Sequence, residues 1–431
     1  MRNITSDLPI TIGIIAAPER AAEISHQISP KLAEQLASCI DDKVNWHIES
    51  IVDPLTGAAE AAQDILYNAN YIKQGKNWDY AICLTDLPIF YLNNVVAADI
   101  SFHYKVSQIS IPAFGWVPME NRIKKTIIQL LRELYHHDTV DTPKLYNSVA
   151  TEKVEEKSIT HFFKRQFPIM PIRRQENPDI TFKSNFDFEK NEYRTVNNAE
   201  DQQDYYAKNS NQSSGHEKAD TINDNNIDVR FLIYPKLFGY MRLLLGMTFA
   251  NNPFKIMSSF KNVIAIAFTT GAFALIFPTI WKLGQFFSIY RLTGMMFAAI
   301  FGLAGWIIVA HNLWELPSNR NKANIRRLYN ITTTFTLLID VIAYFILLFI
   351  LFFLACVLFI PIDYFESMIH DYNHISGTLI NYMRVAWASA SIATIVSAIG
   401  AGLENEELVR DITYGYRQKR RYNEINKYKN S

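Results

Sequence analysis

Glu19, Arg20, Asp53, Thr85 and Asp86 are the residues whose types and places along the chain fit ligand chemistry. Each follows a short β-branched or apolar run. Ile10–Ala17 precedes Pro18-Glu19-Arg20, Val44–Val52 precedes Asp53-Pro54, and Tyr80–Leu84 precedes Thr85-Asp86-Leu87-Pro88. In an open α/β sheet, ligands bind outside the carboxyl ends of the strands, where such residues sit. Two acids and an Asp-Pro turn converging there suit a cation, a sugar or an amine. The competing role for Asp53 and Asp86 is turn formation and capping of the next segment. Asp86 is expected in an exposed turn outside the core.

Motifs of enzymes are missing. There is no GxGxxG and no GxxxxGKS, no HExxH and no GxSxG. Helix amino ends can still hold anions without glycines. The pattern assigns no catalytic residue, no metal ligand and no cofactor. Cys39, Cys83 and Cys356 are scattered and build neither a disulfide framework nor a CxxC site. Formal net charge is +0, which gives no support for nucleic-acid binding.

The elements around these residues alternate. Strand-like runs at 10–17, 44–52, 80–84, 95–101 and 106–111 are separated by helical spacing over 19–40 and 58–72, and another helix follows at 120–135. Alternation of this kind predicts a three-layer α/β domain over 1–138 with a mostly parallel sheet. Residues 139–228 are rich in Asn, Asp, Gln, Ser, Lys and Glu, and predict a disordered polar linker. Phe162, Phe163 and Phe167 are its candidate docking aromatics. Residues 229–261 mix large apolar residues with Arg230, Lys236, Arg242, Lys255 and Lys261. They predict amphipathic helices on the bilayer surface, with those basic side chains toward anionic headgroups. A helix packed against the bundle is the alternative.

Four apolar runs follow: Val263–Leu283, Leu292–His311, Phe335–Ile360 and Val385–Leu403. About 18 apolar residues suffice to cross roughly 30 Å of hydrocarbon. A four-helix transmembrane domain over 262–403 and a basic tail over 404–431 are therefore expected. Asp340 lies in the third run, where an acid is a functional candidate by default. Because Val341–Ile360 is long enough to span alone, Asp340 can also stand at the interface beside Arg326 or Arg327. Small residues recur at Gly294, Ala298 and Gly302, and at Ala386, Ala390, Thr394, Ala398 and Gly402. These stripes suit close helix packing, including homo-oligomerisation. No evident series of polar residues lines a path. Arg320, Lys322, Arg326, Arg327 and the basic tail, against Asp363, Glu366 and Asp371, predict that both termini are cytosolic. No signal peptide is visible at the start.

Leu84-Thr-Asp-Leu-Pro88, Val96-Ala-Ala-Asp-Ile-Ser101, Arg242-Leu-Leu-Leu-Gly246 and Thr270-Gly-Ala-Phe-Ala274 through Pro278-Thr-Ile-Trp281 resemble a family of uncharacterised membrane proteins of Gram-positive bacteria. The resemblance implies a multi-pass protein of the bacterial cytoplasmic membrane. Some members carry the label 5,10-methylenetetrahydrofolate dehydrogenase. This sequence departs from that enzyme: no tyrosine has a lysine four residues later, and the Pro-Gly-Gly-Val-Gly-Pro run is missing. The reading is a non-enzymatic sensor or partner-recruiting membrane protein with a cytosolic ligand-binding domain. The alternatives are a small transporter or channel using Asp340, and a membrane-tethered enzyme acting at Glu19, Asp53 and Asp86.

Overall fold

The computed structural model describes residues 9–57, 62–116, 119–139, 169–174, 182–184, 226–251, 261–316, 323–369 and 378–401, with residues 410, 413, 416, 417, 420 and 421 of the tail. The chain divides into two compact units, and the division falls between Gly246 and Met247.

The first unit is an α/β domain. Its elements are β1 (Ile10–Ala16), α1 (Arg20–Cys39), β2 (Trp46–Val52), α2 (Ala62–Lys76), β3 (Tyr80–Thr85), β4 (Ile89–Tyr91), β5 (Asn94–Ser101), β6 (Val106–Ser110) and α3 (Met119–Thr139). After these come β7 (Ile169–Arg174), β8 (Phe182–Ser184) and β9 (Val229–Ile233). All nine strands join one sheet in the order β2-β1-β3-β6-β5-β9-β7-β8, with β4 on β5. β2, β1, β3 and β6 are parallel neighbours, whereas β5 is antiparallel to β4, β6 and β9. Among β1–β6 and β9, only β5 therefore runs against the rest. The sheet is mixed, and most of its strands share one direction.

The chain winds from β1 to β2 on one side and then crosses back to β3 on the other. Right-handed crossovers put the two connecting helices on opposite faces. β2 shows both faces at once. Ser50 hydrogen-bonds Ser25 of α1 at 2.6 Å, while neighbouring Glu49 accepts from Trp78 Nε1 at 3.0 Å, at the end of α2. Alternation of side chains along a strand produces this division. Ile24, Ile28, Leu32 and Leu36 are buried along α1, and α3 buries Ile123, Ile127, Leu130, Leu131 and Leu134. The opposite layer gathers Ile15, Ala81 and Cys83 against Ile65, Leu66 and Ala69 of α2 and against Trp78. Gly13 makes room for that tryptophan, since a Cβ there would lie 1.7 Å from its ring.

The sheet extends past the predicted boundary at 138. β9 pairs with β5, and Arg230 stands opposite Asp99 in the register. This corrects the reading of 229–261 as one bilayer-surface segment. Arg230 is 2% exposed and bonds Asp99. Arg242, on helix α4 (Lys236–Ala250), is 7% exposed and donates to the Phe114 carbonyl. Each side chain serves a protein partner because the α/β domain covers it, so neither meets headgroups. Lys236 is exposed, the Lys261 side chain is undescribed, and Lys255 lies outside the described residues. So do Phe162, Phe163, Phe167 and most of the predicted linker.

The second unit holds helices α5 (Lys261–Leu275), α6 (Pro278–Phe286), α7 (Ile289–Ala310), α8 (Ala323–Phe359), α9 (Ile362–Ile369) and α10 (Thr378–Ala401). Three of them, α7, α8 and α10, are long and apolar enough to cross a membrane. The first apolar run is not one straight helix. Its two halves meet at 94°, giving a fourth span only if the bent pair counts as one. Pro278 opens the second half, where its missing N–H costs nothing. α10 packs against α5, α6, α7 and α8. Its Ala386, Ala390 and Thr394 are wholly buried, so small residues permit a shared central helix. The α7 stripe differs: Gly294, Ala298 and Gly302 are exposed, and nothing lies within 4 Å of a Cβ built at either glycine.

α8 carries two faces at four-residue spacing. Ile342, Ile346, Ile350, Leu354 and Leu358 point outward, and Asp340, Tyr344, Leu348, Phe352 and Cys356 point inward. An exposed apolar stripe opposite a packed one is what the helical period dictates.

Candidate functional site

Three strand ends meet in the α/β domain. Ala17 N donates to Leu84 O at 2.9 Å, and Asp53 N donates to Ala16 O at 2.9 Å. β1 lies between β2 and β3, so the strand order reverses at β1, and in open α/β sheets ligands bind beyond the carboxyl end of such a point. The predicted residues surround this point.

Glu19 sits in the turn between β1 and α1 with φ 69° and ψ −121°. L-residues other than glycine rarely occupy positive φ, and such strain clusters at functional sites. The Glu19 side chain makes no capping hydrogen bond to α1, whose amino end opens from this turn. Helix amino ends favour negative charge. Arg20 is drawn sideways, bonding Glu23 at 2.9 Å and Glu120 of α3 at 3.2 Å.

Asp53 acts as a clamp. Its Oδ2 accepts from Thr56 N at 3.0 Å, Thr56 Oγ1 at 2.9 Å and Asn68 Nδ2 at 2.9 Å. Thr85 Oγ1 donates to Thr56 O at 2.7 Å and accepts from Leu87 N at 3.2 Å. Ser110 Oγ then donates to Leu87 O at 2.7 Å. Asp53 and Thr85 thus join through Thr56 in a network that ties the ends of β2, β3 and β6. Asp86 follows directly and is 3% exposed. It lies in the short connection between β3 and β4, but that connection is buried and not exposed. Treating Asp86 as a surface position is therefore corrected.

Two arginines joined this end of the sheet without having been assigned to it. Arg122 Nη1 of α3 and Arg242 Nη2 of α4 both donate to the Phe114 carbonyl, at 3.0 and 3.2 Å. Burial, and then the charge of Arg122, lower the Arg242 guanidinium to about 9. Arg122 is one of several basic residues on α3, and Arg242 belongs here only once β9 has entered the sheet. Neither carried a signal in spacing.

A second buried polar group crosses β5. Asp99 accepts from Arg230 at 2.7 and 3.3 Å and from Gln108 at 2.7 Å, and the Arg230 guanidinium lies 4.5 Å from the Tyr91 ring centre.

In the second unit, Asp340 is 1% exposed. Arg326 and Arg327 lie 14 and 13 residues earlier on the same helix, about 20 Å away, so the suggested partnership is not made. The i, i+4 row Thr332, Thr336, Asp340 and Tyr344 is entirely buried, a polar series that the apolar count of the span had concealed.

Among the described residues, no group of three His, Cys, Asp or Glu side chains is arranged to hold a metal ion. No protein-family model, curated protein or solved structure matches this chain.

Proposed function

We propose that this chain is a multi-pass membrane protein that senses a small ligand through its α/β domain and does no chemistry on it. The carrying observation is Glu19, held at φ 69° between β1 and α1 at the point where strand order reverses. Glu19, Arg20, Asp53, Thr85 and Asp86 form the proposed site, with Asp53 and Thr85 fixing its floor and Glu19 and Asp86 meeting the ligand. Three or four apolar helices support a bilayer anchor.

Both ends of the bundle face the cytosol in this reading. Basic Arg320, Lys322, Arg326, Arg327, Arg417 and Arg421 support that orientation, as does the acidic pair Asp363 and Glu366 at the other end. Lys236, Lys255 and Lys261 remain candidates for anionic headgroups. The exposed Gly294–Ala298–Gly302 face of α7 suits a second copy.

Hydrogen exchange on the full chain in nanodiscs tests the site. A pool of small metabolites should slow exchange at 17–20 and 85–87. Protection confined to other segments would reject the assignment.

A further inference from the structure

Asp340 lies in a polar seam of the membrane unit. Below it on the same face of α8 are Thr336 and Thr332, and above it is Tyr344, whose hydroxyl bonds Ser397 of α10. Tyr382 Oη donates to the Ile360 carbonyl at 2.7 Å, which fixes α8 and α10 as antiparallel neighbours. Ile360 to Asp340 is twenty residues, or about 30 Å of helix. That matches the hydrocarbon thickness, so Asp340 stands about one span's length from the Ile360 end of the helix.

Protein covers it there. Asn251 Nδ2 donates to Thr336 Oγ1 at 3.0 Å, and Arg417 Nη2 donates to Asn251 Oδ1 at 2.5 Å. A polar chain from the tail thus ends one turn short of the carboxyl. Neither oxygen of Asp340 has a hydrogen-bond partner among the described residues. No basic side chain among them pairs with it, which sets it apart from Asp99. An uncompensated carboxylate inside a bundle is strongly unfavourable. Something must balance that charge.

We propose that Asp340, in the polar seam it shares with Thr336, Tyr344 and Ser397, binds a monovalent cation, either a proton or a sodium ion. One carboxylate supplies one negative charge, and its neighbours in the seam are neutral oxygens. A divalent ion wants several anionic oxygens, and no three-member acidic or His/Cys group is present among the described residues. The titratable or charged groups on elements packed against α8 are few. α10 carries Tyr382 and Arg384 toward its far end, α7 carries Tyr290 and Arg291 at its start and is followed by His311, and α5 begins at Lys261. The tail adds Arg417 and Arg421, both buried, and α8 itself adds Tyr344 one turn away, Arg326, Arg327 and Tyr329 toward its start and Cys356 toward its end. The site differs from the one in the α/β domain and stands without it.

The test uses the full chain in nanodiscs with N,N′-dicyclohexylcarbodiimide, which couples to protonated carboxyls. Peptide mapping should find the adduct on Asp340, falling about tenfold per pH unit above its midpoint. Sodium chloride lowering the labelling, against equal choline chloride, identifies a sodium site; indifference to sodium identifies a proton site. Labelling that depends on neither pH nor sodium overturns the proposal. Unfolding midpoints provide a second reading for a shielded carboxyl. The wild-type midpoint should move with pH or sodium, and that of Asp340→Asn should not. Equal responses in the two proteins overturn the proposal as well.

Discussion

Arg230 Nε lies 2.7 Å from Asp99 Oδ1, directly across the β5–β9 pairing, and both side chains are at most 3% exposed. The pair locks a strand far along the chain into the sheet of the first hundred residues. Gln108 satisfies the other carboxylate oxygen at 2.7 Å. A one-residue slip of β9 would bury both charges apart, so the pair also selects the register.

Arg230→Met should destabilise the α/β domain by about 3–5 kcal/mol, because Asp99 would be left as a buried uncompensated charge. The double change Arg230→Met/Asp99→Leu should recover much of that loss. Denaturant midpoints of the three proteins decide it. A double variant as weak as the single one would mean that packing, not charge, holds β9.

Gly13→Ala should cost roughly 1–3 kcal/mol through overpacking against Trp78. Trp78→Leu has its own cost, but Gly13→Ala should be nearly neutral in that background. A coupling energy above about 0.5 kcal/mol in the double-mutant cycle is the expected result. Simple additivity would show that the ring moves aside freely.

Much of the α/β domain was legible in the sequence. β-branched runs ending in Pro18, Asp53-Pro54 and Asp86-Leu-Pro88 marked three strands, because turn chemistry is local, and the alternation of strands with helices pointed to a mostly parallel sheet. β9 was not legible. Val229–Ile233 reads as apolar residues beside a basic one, and only its long-range pairing with β5 distinguishes it from a membrane-surface helix. The break in the first apolar run escaped for a similar reason, since Pro278 is the one local sign of it. At the site, positions after strands were readable, but the φ of Glu19 and the burial of Asp86 depend on how the turns pack.

Glu19→Gly should raise the unfolding midpoint. Releasing a non-glycine residue from φ 69° removes strain of about 1–3 kcal/mol, against about 0.5–1 kcal/mol of added chain entropy. The same variant should lose ligand protection at 17–20. A lower midpoint would show that the Glu19 side chain stabilises the turn.

For topology, single cysteines replace Glu366 and Asn324, both exposed, in a chain lacking Cys39, Cys83 and Cys356. On intact cells, an impermeant maleimide should label position 366 and spare 324. The reverse pattern would invert the orientation.

The central claim is that the reversal point beside β1 binds a small ligand through Asp86. Full-length wild type and Asp86→Asn, both in nanodiscs and matched for folding by hydrogen exchange, are equilibrated with the same small-molecule extract. Retained compounds are read by mass spectrometry. The account predicts at least one compound held by wild type and lost from Asp86→Asn, since neutralising a buried charged partner costs about 2–5 kcal/mol of affinity. Identical retention profiles for the two proteins would contradict it.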